Sequence, residues 1–232
     1  MKIVNRIIVF LAAAAVFPLL AVQNFVSIIM SIDEESLVYT FFNSLLGAEN
    51  SLTNNRLGID KTLIDLYNSF TGKTKSSFDF KEIIANLPKE FDPVKKYIIA
   101  ALIFVAAGVL IAIVIMGCAL FTKAYRTITC LSLGGAASFI TALALFGKAS
   151  KPLLDGTIDV ATTVMPLFMN TESLLASLAA SALNGSISVD SCGLGGAVYG
   201  AAIALFALAM WELAYYITLP KEEKSAKKVK AK

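Results

Sequence analysis

The chain has 232 residues, 57% of them hydrophobic and 16% charged, with a formal net charge of +3 and no histidine. That composition excludes an ordinary soluble domain. The missing imidazole excludes histidine general acid–base catalysis, a serine–histidine triad and histidine metal ligation.

In chain order, residues 1–6 form a short basic stub carrying Lys2 and Arg6. Residues 7–30 then make the first apolar run, which at about 24 residues exceeds the roughly 7–15 of a signal-peptide core and predicts a retained transmembrane helix. A cleavage after Ala21 would also place Leu19 where a small residue is wanted. Pro18 stands near the middle of this run, and Gln23 and Asn24 fall in its outer half. Amides at that depth need partners. They are read as bonding a neighbouring helix, or else as lining a polar path.

Residues 31–92 predict a helical cap. Leu37, Val38, Phe41, Phe42, Leu45 and Leu46 recur in pairs every four residues, an apolar stripe that Gly47 ends. A second stripe follows Asp60 as N-cap, with Leu63, Ile64, Leu66, Tyr67 and Phe70, and stops at Gly72. A third short helix begins at Asp79, with Glu82 at capping-box spacing, and closes at Pro88. Three such helices hold too little core to stand alone, so their stripes must pack on each other, on the spans or on a partner.

Residues 93–121 predict the second span. Asp92 and Pro93 open it, and no charge occurs from Tyr97 to Phe121. Those residues reach roughly 37 Å as a helix, enough to cross a ~30 Å hydrocarbon layer. A basic turn, 122–127, with Lys123 and Arg126, leads into a third span, 128–147, placed to end at Gly147. Two spans joined so closely must be antiparallel neighbours.

Residues 148–190 read as a second outer helical segment. One helix-like stretch runs from Leu153 to Met169 with Pro166 inside it, and a second short apolar helix ends at Asn184 and Gly185. Asn184, Gly185 and Ser186 also spell a glycosylation sequon. The last span, 193–219, opens with a glycine cluster, and a lysine-rich tail occupies 220–232. Gly196, Gly200 and Ala204 repeat every four residues, as do Gly134, Ser138 and Ala142 on the third span, while Gly108 and Ala112 make a shorter strip on the second. This small-xxx-small spacing predicts close helix packing within the bundle.

Charges sort by segment. The stub and the central turn each carry two bases and no acid, and the tail carries six lysines against two acids. Residues 31–96 hold ten acids and eight bases, and residues 148–190 hold four acids and two bases. The positive-inside rule then places both termini and the turn in the cytoplasm and the two long segments outside, in a plasma membrane.

Glu212 is the only acid within a span, beside Trp211 and near Tyr215 and Tyr216, which form an aromatic belt. It is a candidate for proton or cation handling, unless it reaches the inner interface or pairs with Lys123 or Arg126. Asp155 and Asp159, four apart, make either a solvated edge or an acidic ring at a pore mouth. Cys118 and Cys130 flank the basic turn and Cys192 precedes the last span, so no intramolecular disulfide is expected in the outer part. Two thiols without further ligands make a poor metal site, and no metal or cofactor is predicted. No phosphate-cradling loop or dinucleotide fingerprint is present in the sequence.

The expectation is an all-α integral membrane protein: a four-helix transmembrane bundle with a helical extracytoplasmic cap. Four spans with a larger first outer segment resemble the outline of claudin-like and tetraspanin-like proteins. The resemblance stops there, because the first outer segment has neither Trp nor Cys and the second lacks a Cys-Cys-Gly sequence. The predicted role is non-enzymatic, a structural or accessory subunit of a membrane or envelope assembly acting through its cap. Membrane lipid, further copies of the chain or another membrane protein are the expected partners, and nucleic acid is not. The alternative is an oligomeric channel or transporter with an acidic outer vestibule, using Gln23, Asn24, Glu212, Asp155 and Asp159.

Overall fold

A computed structural model describes residues 3–32, 56–64, 91–121, 125–157 and 187–218. In chain order the elements are α1 (Ile3–Ala14), α2 (Val16–Val22), β1 (Asn24–Ile32), β2 (Arg56–Thr62), α3 (Asp92–Phe121), α4 (Tyr125–Leu154), β3 (Ile187–Leu194) and α5 (Gly196–Thr218). The chain is mostly helical among these residues. Four helices are long and apolar enough to cross a membrane: Ile3–Val22, Val94–Phe121, Tyr125–Leu154 and Gly196–Thr218.

The first of them is α1 and α2 joined through Ala15, whose backbone stays helical at φ −61° and ψ −21°. Ala15 N–H donates to Leu11 at 2.9 Å and Leu19 N–H to Ala15 at 3.2 Å. Pro18 has no N–H to give the Ala14 carbonyl, which interrupts the ladder at this point.

Buried positions recur at steps of three or four residues on every span, alternating strictly on the last three. The series are Asn5, Val9, Ala13, Val16 and Leu20 on α1–α2, then Ala101, Val105, Gly108, Ala112, Ile115 and Ala119 on α3. On α4 they are Tyr125, Ile128, Ser132, Gly135, Phe139 and Ala142, and on α5 Val198, Ala201, Leu205, Leu208 and Glu212. On the last three spans a mean step near 3.5 keeps one seam of each helix facing its neighbours, as in a left-handed bundle. Contacts run from α3 to α4, from α4 to α5, from α5 to α1–α2, and from α1 back to α3, closing a ring. The outward faces are as apolar as the core: Ile103, Leu110 and Phe121 of α3 and Ile203, Phe206 and Ile217 of α5 are all exposed. Such a surface suits lipid and not water.

The strands correct the all-α expectation and the 7–30 boundary of the first span. The helix ends at Val22, and residues 24–32 form the central strand of an antiparallel sheet ordered β2-β1-β3. Ile28 pairs with Ile59 on one side and with Cys192 on the other. Phe25, Val26, Ile28 and Ile29 are aromatic or β-branched residues that suit a pleated surface. Asp60 lies inside β2, opposite Ser27, instead of capping a helix, and helical backbone begins directly after the strand at residues 63 and 64. The other residues of the three amphipathic stripes lie outside the described residues, as do the sequon, Asp159 and the lysine tail.

The last span likewise starts at Gly196, because residues 187–194 are strand. The third span passes the expected stop at Gly147, with Pro152 inside the helix, and ends at Leu154. Phe91 and Val94 bury Ala149 and pack Ile98 and Leu153 beside it, so tertiary packing overrides the glycine there. Asp155 N–H donates to Lys151 at 2.8 Å, and Gly156, at φ 66°, supplies the left-handed residue that closes the helix.

Candidate functional site at the turn end of the bundle

The antiparallel ring gives the bundle two different ends. At one end lie the start of α1, the end of α3, the start of α4 and the last turns of α5: Tyr125 packs against Tyr215, tilted by 35°, with ring centroids 5.5 Å apart. At the other end α2 runs through Gln23 into β1, and β3 runs through Gly195 into α5. We call these the turn end and the sheet end.

The turn end holds the polar cluster. Glu212 continues the apolar seam of α5 one step past Leu208 and is fully buried. Its partner is Asn5 on α1, which is 2% exposed and whose Nδ2 donates to Glu212 Oε1 at 2.6 Å. The other side of the same amide, Asn5 Oδ1, accepts a 2.7 Å bond from Trp211 Nε1. One asparagine thus satisfies two consecutive residues of α5. Glu212 Oε2 has no hydrogen-bond partner, and neither does Ser132 Oγ, one turn inward on α4, or the Tyr215 hydroxyl, one turn outward on α5.

Of the groups expected near Glu212, Arg126 does not pair with it. Arg126 is engaged elsewhere, donating from Nη2 to the Tyr216 hydroxyl at 3.1 Å and lying 5.4 Å from the centre of that ring. Lys123 lies outside the described residues. Asn5, within the short basic stub of the sequence, is the residue on which the cluster turns. Its signal was there: Asn5 stands four before Val9 on the same buried stripe, as Glu212 stands four after Leu208.

The remaining candidates among the described residues do not join it, and Asp159 lies outside those residues. Gln23 and Asn24 are exposed and sit at the sheet end, where Gln23 ends α2 by donating its N–H to Leu19 at 3.2 Å and Asn24 pairs with Thr62 in β1. They are junction residues, outside any helix. Asp155 is exposed in the turn after α4, at the sheet end. A side chain at Gly196 or Gly200 would meet Gln23 Oε1 at 3.3 and 3.5 Å, so this strip faces the end of the first span. On α4 the strip shifts by one residue. A Cβ at Gly134 would meet nothing, and Ser138 Oγ bonds back to the Gly134 carbonyl at 2.9 Å, whereas a Cβ at Gly135 would come within 2.6 Å of Leu205.

The sheet end is built by close approach. Gly195 N–H donates to Phe25 O at 2.8 Å, and a Cβ on Gly195 would overlap the Asn24 carbonyl. Phe25 and Leu194 are buried in the main core, so the sheet is seated on the bundle. Ser31 Oγ donates to Asp190 Oδ1 at 2.8 Å, and its 2.7 Å contact with Ser188 Oγ also ties β1 to β3. Cys192 lies in β3, and burial pushes its thiol up to about 11. Among the described residues no three Cys, Asp or Glu side chains gather as a metal site would require.

No family model, curated protein or solved structure matches the chain.

Proposed function

We propose that the chain is a non-enzymatic, four-span subunit of a membrane or envelope assembly, with the sheet end outside a plasma membrane and both termini in the cytoplasm. The supporting observation is the construction of the sheet. Its central strand leaves α2 after one residue, and β3 enters α5 after one residue. Two spans therefore continue directly into a three-stranded platform, from which the outer segments depart in sequence. The apolar stripes at Leu37, Phe41 and Leu45 follow that platform in sequence and offer the contact surface. Extracted in a mild detergent, the protein is expected to run larger than one chain, and in lipid vesicles to carry no ion flux. Replacing Leu37, Phe41 and Leu45 by Asp is expected to reduce it to single chains with unchanged helical content. A single chain that conducts ions overturns the proposal.

The second reading, an oligomeric channel or transporter, draws on Glu212, buried with an unpartnered oxygen. Flux in reconstituted vesicles that Glu212→Gln abolishes would favour it.

A further inference from the structure

We infer that Glu212 is a proton-binding site, with the exchangeable proton on Oε2 and Asn5 acting as its positioning residue. The inference stands apart from the assembly proposal and concerns one side chain and its surroundings.

The carboxyl is fully buried, and only one of its two oxygens is occupied, by the Asn5 amide. A carboxyl in which one oxygen accepts a fixed hydrogen bond and the other is bare has the geometry of an acid whose carbonyl oxygen is anchored and whose hydroxyl is left to gain or lose its hydrogen. The Asn5 amide is itself fixed, because Trp211 Nε1 donates to Oδ1 and leaves Nδ2 as the group that faces the carboxyl. An ionised carboxylate is costly to bury unless it is well paired, and a single neutral amide on Oε1 is weak pairing, so a proton on Oε2 relieves that cost.

A proton fits better than a metal cation. The unpartnered oxygens of Ser132, Glu212 and Tyr215 lie on successive levels of the bundle, as the Gly135–Leu205 and Tyr125–Tyr215 contacts fix the register of α4 against α5. Levels one helical turn apart are separated by about 5 Å, whereas a bound hard cation needs several oxygens around one centre at roughly 2.3–2.6 Å. A proton needs a single oxygen. Access is short, since Glu212 lies six residues before the end of α5, about 9 Å of helix.

Among the described residues the charged and titratable groups near this end are few, and the charge of the amino terminus also acts on the Glu212 carboxyl. On α1 there is Arg6, adjacent to Asn5; on α3, Cys118; on α4, Tyr125, Arg126 and Cys130; on α5, Tyr215 and Tyr216. Arg126 is bonded to Tyr216.

The test uses the full chain in detergent or vesicles and a hydrophobic carbodiimide, which adds to a protonated carboxyl. The carboxyl oxygen bonds to the central carbon of the reagent, the proton passes to its nitrogen, and the product rearranges to a stable N-acylurea. Peptide mapping is expected to find one reagent mass on the peptide containing Glu212, with yield falling as pH rises and unchanged when choline chloride is replaced by sodium chloride. Glu212→Gln is expected to remove the adduct, and Asn5→Ala to displace the pH at which labelling is half-maximal while leaving the adduct in place. No adduct at any pH in a protein with native helical content, a yield indifferent to pH, or protection by sodium at constant pH would each overturn the inference. None of these outcomes depends on the mass of the assembly.

Discussion

Asn5 and Glu212, 207 positions apart in sequence, meet through a 2.6 Å hydrogen bond that ties the first span to the last. It lies at the turn end, where the start of α1 and the end of α5 would otherwise fray.

Asn5→Ala should therefore loosen that end. It leaves Glu212 Oε1 buried without a donor, a loss of about 1–3 kcal/mol. The chain has one tryptophan, so the intrinsic emission of Trp211 reports the site directly. We expect a lower thermal transition in detergent and a shift of the emission maximum. An unchanged spectrum would mean that the amide does not hold the indole.

The glycines separate backbone contact from open space. Gly195→Ala sets a methyl group against the Asn24 carbonyl and should cost about 3 kcal/mol, the upper end for overpacking, because backbone cannot swing away as a side chain would. Gly134→Ala meets nothing and should stabilise the helix by about 0.5–1 kcal/mol. Thermal unfolding of the two variants side by side measures both signs.

The end of the first helix can be tested by cross-linking. Ile28 is the register partner of Cys192, and paired residues on antiparallel strands lie about 4.5–5.5 Å apart at Cα, within disulfide range. Ile28→Cys should form a disulfide with Cys192 under mild oxidation, detected as a linked peptide pair. Were the first span helical through Met30, position 28 would lie inside the membrane and the link would not form.

Cys192 should also be slow towards maleimide. Its thiol is pushed from 9.0 to about 11 by burial, so near pH 8 the reactive thiolate is scarcer by about a hundredfold than in the unfolded chain. The native rate, read on the Cys192 peptide, should rise about tenfold per pH unit until pH approaches 11. Equal native and denatured rates at pH 8 would contradict this.

What sequence could and could not disclose follows from the range of the interactions. The second and third spans are legible because uncharged length and a short basic turn are local properties. The end of the first span is not. Gln23 and Asn24 mark the break, but the residues after them stay apolar, and β1 becomes a strand only by pairing with β2 and β3, the latter more than 150 residues away. Gly147 looks like a stop until Phe91 and Val94 are placed against Ala149. At the site, Glu212 stands out as an acid among apolar residues, whereas Asn5 becomes conspicuous only once the seam it shares with Val9 is aligned against α5.

Charge sorting carries the orientation, and the sheet end also bears Lys95, Lys96, Lys148 and Lys151 at the helix ends of α3 and α4. The most direct measurement is therefore the labelling of single cysteines by an impermeant maleimide on intact cells, with the native cysteines replaced by alanine. Thr157→Cys, exposed at the sheet end, should react before permeabilisation, and Lys232→Cys, in the tail, only after it. Tail labelling on intact cells with Thr157→Cys protected would reverse the bundle in the membrane and contradict the account.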